Sequence, residues 1–239
     1  MATRKRVSEI AELSSNPAPA WDLEKYIKSA HLAGVDAVKI QLFLPEHFPV
    51  KERAEKTRAQ FPGDRLREYY SLAKSWGLAA GASVFHAGGI GEVCRILDFI
   101  KLASREENNG ELIDAAFFAA NQFRKPLYRS ISTTKNFEVG RIPDSNGSMH
   151  FGTIAQYPAS LLRSMTAVTR FAFFFRSKKL KWGWSSHTKG FLDCIFAANL
   201  GASIVEKHFA LHSTDLEAGH SSLPDDFRKM ANILHGGDS

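Results

Sequence analysis

His187 and His208 each lie at or just beyond the end of a short β-rich run, and imidazole is the protein ligand most often found on zinc-like and manganese-like ions. Two imidazoles on neighbouring strand ends would make a partial, open coordination sphere, and an open metal site polarises a carbonyl. Either histidine alone reads as an ordinary hydrogen-bonded side chain; the pair is what suggests a metal. Lys39 and Lys101 lie in other apolar runs, where an ammonium group is costly unless it meets an anion. That anion is either a bound phosphate or carboxylate, which the two lysines could neutralise together, or a buried glutamate of the protein itself. In Val38-Lys39-Ile40-Gln41-Leu42, strand alternation sends Lys39 and Gln41 to the same face.

These residues can meet only if the chain supplies a frame for them. Short β-rich runs alternate with segments of helical period, the pattern of βα units on a parallel sheet. Candidate strands cover residues 7–13, 36–43, 79–85, 99–103, 126–132, 148–154, 181–185 and 203–209, and helical stretches cover 23–32, 65–76, 110–123, 159–171, 191–200 and 225–234. Two further helices are only weakly marked. Gly34, Gly77 and Gly201 each fall where a helix should stop before the next strand. With eight strands and units of about 30 residues, the chain reads as a closed (β/α)8 barrel of the aldolase (TIM) type. It forms one domain over residues 1–239, with 236–239 as a frayed tail. In such a barrel the strand C-termini share one bowl. Polar residues at those positions are Glu12, Lys39, Gln41, Lys101, Ser104, Ser130, Ser185, His187, Lys207 and His208.

Composition narrows the partners. Hydrophobic residues at 44% and charged residues at 23% suffice for a sizeable core and exclude a disordered chain. The charge of +6 and pI near 9.3 are spread along the chain without a nucleic-acid-binding signature, so they fit anionic small substrates and not nucleic acid. Cys94 and Cys194 in a chain without a secretory signal predict no disulfide framework and a reducing cytoplasm. No apolar run reaches the ~18 residues of a membrane span. The segment Phe-Ala-Phe-Phe-Phe-Arg-Ser-Lys-Lys-Leu-Lys from Phe171 reads as a helix end packed on the barrel, with a membrane-surface or partner patch as the alternative.

Six ordered motifs carry a resemblance to the sialic acid (N-acetylneuraminate) synthase family over most of the chain. Ile10-Ala11-Glu12-Leu13 resembles I-A-E-I, and residues 33–41 resemble A-G-A-D-A-V-K-F-Q. Residues 101–109 resemble K-I-x-S-x-E-x-N-N, and Lys125-Pro126 with Ser130 resembles K-P-x-x-x-S-T-G. Gly183-Trp184-Ser185-Ser186-His187-Thr188 resembles G-L-S-D-H-T, and residues 201–209 resemble G-A-x-x-x-E-K-H-F. The resemblance implies condensation of phosphoenolpyruvate with an N-acylated amino-hexose of the N-acetylmannosamine kind, giving a nine-carbon sugar acid and phosphate. It implies that His187 and His208 hold Mn²⁺, or Mg²⁺ or Co²⁺, and that Lys39, Ser83, Lys101, Ser104, Ser130 and Ser185 bind phosphoenolpyruvate. Glu12, Gln41 and Glu106 would handle the sugar hydroxyls and the attacking water.

Three departures accompany it. The S-T-G segment is Ser130-Ile131-Ser132, and the family's G-P-D-H is Glu217-Ala218-Gly219-His220, so its Asp is absent and Asp215 or Glu217 is the candidate replacement. The family's C-terminal antifreeze-like domain, which brings an arginine to the partner's site, has no counterpart in these residues. Either a homodimer partner or another subunit completes the sugar site, or the substrate is a different one. The competing reading is a degenerate barrel that binds a partner or regulates.

Overall fold

The computed structural model describes residues 6–18, 22–133, 142 and 147–236. Eight parallel strands follow one another around a closed barrel: β1 (Ser8–Glu12), β2 (Ala37–Leu42), β3 (Ala79–Val84), β4 (Phe99–Leu102), β5 (Leu127–Ser132), β6 (Met149–Thr153), β7 (Trp182–Ser186) and β8 (Ile204–His208). All eight expected strands form, because each is a short apolar run cut off by a helix stop on one side and a polar loop on the other. The stops are visible as left-handed glycines, Gly34 at φ +88°, Gly77 at +73° and Gly201 at +101°, a conformation other residues rarely adopt.

The outer layer holds α1 (Leu23–Leu32), α2 (Val50–Ala59), α3 (Leu66–Ser75), α4 (Ile90–Ile96), α5 (Gly110–Phe123), α6 (Leu161–Ser177), α7 (Leu192–Asn199) and α8 (Pro224–His235). The two weakly marked helices are α2 and α4. The first has little apolar periodicity and is mostly exposed, with only Ala59 fully buried. It shares the β2–β3 connection with α3, and among the described residues no helix joins β5 to β6. The α6 helix runs on to Ser177, beyond the expected end at Phe171, because Phe171, Ala172 and Phe175 continue one buried face. Phe173 stays 77% exposed, and the segment is a helix end packed on the barrel. The expected tail lies outside the described residues, apart from Gly236, which caps α8 at φ +75°.

Inside the barrel, an apolar plug of Ile10, Phe99, Tyr128, Met149 and Phe151 fills the lower half. Two strand glycines make room for it. A Cβ on Gly81 would sit 2.1 Å from the Phe99 ring, and one on Gly183 would sit 2.6 Å from Phe151. The plug closes the lumen from below, so every polar side chain above it faces the strand C-termini. Among the described residues, no helix is long and apolar enough to cross a membrane, and both cysteines are free and buried.

Candidate functional site

Strand register assembles the floor of the site. Glu12 pairs in register with Lys39 and with His208, Gln41 with Ser83, Ser83 with Lys101, and Ser185 with Glu206. Directly above the aromatic plug, Lys39 Nζ donates to Glu12 Oε2 and Ser83 Oγ, and Lys101 Nζ donates to Glu206 Oε1 (2.6 Å) and Ser185 Oγ (2.5 Å). Lys101 also stands 4.5 Å above the Phe151 ring centroid, a cation–π contact. Both lysines therefore meet a glutamate of the protein. Glu206 Oε2 still has no hydrogen-bond partner and lies 3.7 Å from Lys39 Nζ.

The charges in this layer are strongly coupled. Burial pushes the Lys39 ammonium down to about 7, with the Lys101 charge adding to it and Glu206 opposing. Burial likewise lowers Lys101 against the pull of Glu206. Burial alone would raise the Glu206 carboxyl, but the Lys101 and Lys39 charges bring it down to about 2. Two cations and two carboxylates balance here, so an arriving dianion must compete with Glu12 and Glu206 for the ammonium protons.

The histidines form the next layer up. His187 Nδ1 lies 2.7 Å from the Ile154 carbonyl, and His208 Nδ1 lies 2.7 Å from Glu217 Oε2. A carbonyl or a carboxylate only accepts, so Nδ1 carries the proton in both rings and each Nε2 lone pair is left for another ligand. Burial holds both imidazoles below their ordinary values, His187 well below, which favours the neutral form a metal needs. Ring centroids are 5.4 Å apart, and the Tyr157 ring packs on His187 at 4.1 Å. A ligating histidine characteristically gives its other N–H to a carbonyl or carboxylate, so this pair fits a divalent ion. His208, Glu217 and His220 also offer ligand atoms within 4.8 Å of one another.

One cavity of about 570 Å³ joins both layers. It is lined by Glu12, Lys39, Gln41, Ser83, Lys101, Ser104, Ser130, Ser185, His187 and His208, ten of the residues expected from the sequence. Glu106 does not line it. That carboxylate accepts from Arg105 Nε (3.1 Å) and Asn109 Nδ2 (3.0 Å), and Asn109 in turn caps α5, so Glu106 is held beside the start of that helix. Lys207, also expected in the bowl, faces the other way: its Nζ donates to the carbonyls of Thr188 (2.6 Å) and His220 (3.2 Å) outside the lumen.

Glu206, His220 and Tyr157 join the cavity without having been singled out from the sequence, and Glu217 lines it as well. Strand alternation could have found Glu206, since it shares a face with His208 and Lys207 does not. Glu217 had been one of two candidate replacements for the missing Asp; Asp215, the other, instead accepts from Tyr26 Oη (2.6 Å) and the Leu211 amide (2.7 Å). Tyr157 had no sequence signal, because only the loop after β6 brings it over His187. The outer wall comes from the β2–β3 insertion and the loop after β4, where Arg105 lies 4.5 Å from the Phe48 ring centroid and Lys56 lies 5.2 Å from it.

The model of the NeuB family matches residues 26–236. The chain is 27% identical over 269 aligned residues to a pseudaminic acid synthase of Campylobacter jejuni, covering 99% of this chain and 75% of that protein. It is 25% identical over 255 residues to a pseudaminic acid synthase of Helicobacter pylori, covering 94% and 72%. Among solved structures, the N-acetylneuraminic acid synthetase of Leptospira borgpetersenii superposes with a TM-score of 0.82 at 20% identity, over 97% of this chain and 83% of that one. The spore coat polysaccharide biosynthesis protein SpsE of Bacillus subtilis gives 0.74 at 20% identity, over 99% and 71%. These two superpositions establish the barrel fold.

Proposed function

The chain belongs to the NeuB family, and from that premise we propose that it condenses phosphoenolpyruvate with an N-acylated amino-hexose to give a nine-carbon sugar acid of the pseudaminic or N-acetylneuraminic type. The observation that carries this reading is the layering of one cavity: two ammonium groups with serine hydroxyls at the floor, and two Nε2 lone pairs directly above. Phosphoenolpyruvate carries a phosphate and a carboxylate. Lys39 and Lys101 neutralise them, and Ser83, Ser104, Ser130 and Ser185 supply hydroxyl donors, shorter and stronger against anions than against neutral acceptors.

His187 and His208 would hold a divalent ion, Mn²⁺ in preference to Mg²⁺ or Co²⁺, which when bound polarises the carbonyl of an open-chain sugar. The remaining work falls to the protein. The lysines hold phosphoenolpyruvate so that its methylene carbon faces that carbonyl, a gain in effective concentration and not in chemistry. A new C–C bond forms, water adds to the enol carbon, and phosphate departs from it. Glu12 is anchored by Lys39 and the Ser14 amide (2.9 Å), and it orients the attacking water and receives its proton. Gln41, beside Ser83, bonds sugar hydroxyls. Phe48, Lys56 and Arg105 form the acceptor wall, a mixed apolar and cationic face suited to an acylated sugar.

Release of inorganic phosphate from phosphoenolpyruvate, measured with Mn²⁺ across a panel of N-acylated amino-hexoses, tests the proposal. Acceptor-dependent release that disappears in His187→Ala is expected. No release with any acceptor, or release unchanged in that variant, overturns the reading.

A further inference from the structure

We infer that Glu217, clamped by Ser14, is a positioning residue that fixes the tautomer of His208 and aims its Nε2 at the cavity. The inference deepens the metal-dependent reading above and rests on it. Glu217 uses both carboxylate oxygens: Oε1 accepts from Ser14 Oγ at 2.7 Å, and Oε2 accepts from His208 Nδ1 at 2.7 Å. Its backbone is held as well, since the Glu217 amide donates to Asn16 Oδ1 at 2.7 Å while Asn16 Nδ2 donates to the Phe209 carbonyl at 2.7 Å. The loop after β8 is thereby stitched to the loop after β1, and the carboxylate has little freedom to turn away from His208.

Ser14 gives the independent observation. It sits at φ +49°, a left-handed conformation that costs a non-glycine residue energy. Glycine would relieve that strain but would lose the hydroxyl that holds Glu217, so the strained serine is explained by its hydrogen bond. Gly219 stands where the resembled motif carries Asp, and Glu217 is the carboxylate this loop presents to the cavity. A carboxylate behind a ligating histidine orients the ring and raises its basicity, and losing such a partner typically weakens metal binding about 10- to 100-fold.

The test uses the full chain with two readouts, the ¹⁵N resonances of metal-free His208 (assigned by their loss in His208→Gln) and Mn²⁺ affinity by calorimetry. Wild type is expected to show the Nδ1–H tautomer. Glu217→Met is expected to populate the Nε2–H form and to raise the Mn²⁺ Kd about 10- to 100-fold. Ser14→Gly is expected to keep or raise the Tm while raising that Kd by a smaller factor, a divergence that a purely structural role would not produce. If Glu217→Met does not fold, Ser14→Gly decides alone: a lowered Tm with unchanged Kd overturns the inference. Wild type that binds Mn²⁺, with unchanged tautomer and Kd in Glu217→Met, overturns the inference and leaves the functional reading standing. Wild type that binds no Mn²⁺ overturns both.

Discussion

Lys39 and Lys101 look alike in the sequence but should respond differently to pH and to mutation. Lys39, held down to about 7, is a cation below that pH and neutral above it. An anionic substrate binds the cation, so kcat/KM for phosphoenolpyruvate is expected to fall above about pH 7, on a limb that reports the free enzyme. A pH–rate profile checks this, and Lys39→Arg should move that limb to higher pH because guanidinium stays charged. Lys101 has a structural debt to Glu206. Lys101→Met leaves that carboxylate buried without its 2.6 Å partner, and the expected loss of stability is about 3–5 kcal/mol by chemical denaturation. Lys101→Met with Glu206→Gln should recover part of that stability and still fail to bind phosphoenolpyruvate, which separates folding from binding.

At the scale of elements, strand alternation determines which residues reach the site and glycines determine how deep it is. Glu206 and His208 face the lumen while Lys207, between them, ties the loops after β7 and β8 through the carbonyls of Thr188 and His220. The period of two in β8 is what separates Lys207 from Glu206 and His208. Gly81 and Gly183 leave space for the Phe99 and Phe151 rings beneath the lysines. Gly81→Ala is expected to destabilise by about 1–3 kcal/mol through overpacking, and Phe99→Leu in the same chain should restore most of that in thermal unfolding. On α6 the two faces differ more sharply. Phe175→Ala is expected to cost about 3–5 kcal/mol, since the ring is fully buried. Phe173→Ala, at 77% exposure, should change stability by no more than about 0.5 kcal/mol.

For the molecule as a whole, a buried carboxyl far from the chemistry links folding to pH. Glu9, packed outside β1 against the end of α8, has neither carboxylate oxygen hydrogen-bonded, and burial with the nearby Asp36 charge raises its carboxyl to about 8. The folded state therefore binds a proton that the unfolded state releases near 4.5. The stability linked to it is fully present below about pH 4.5 and is lost as pH rises through about 8, by at most about 1.4 kcal/mol per unit. Glu9→Gln is expected to flatten that decline and to unfold at a higher temperature than wild type at pH 8, as measured by Tm across the range. The barrel itself was legible from the chain because β-rich runs, helix stops and unit length are local properties, and local periodicity survives without knowledge of the partners. The same held for the lysines and serines of the floor and for the two histidines, whose place in the bowl follows from being at strand ends. Tertiary structure alone decided that Lys39 and Lys101 already hold Glu12 and Glu206, and that Ser14 and Glu217 brace His208 from loops distant in sequence. The Lys101–Glu206 pair and the Ser14–Glu217–His208 brace depend on closing β8 into the barrel, which no local pattern encodes.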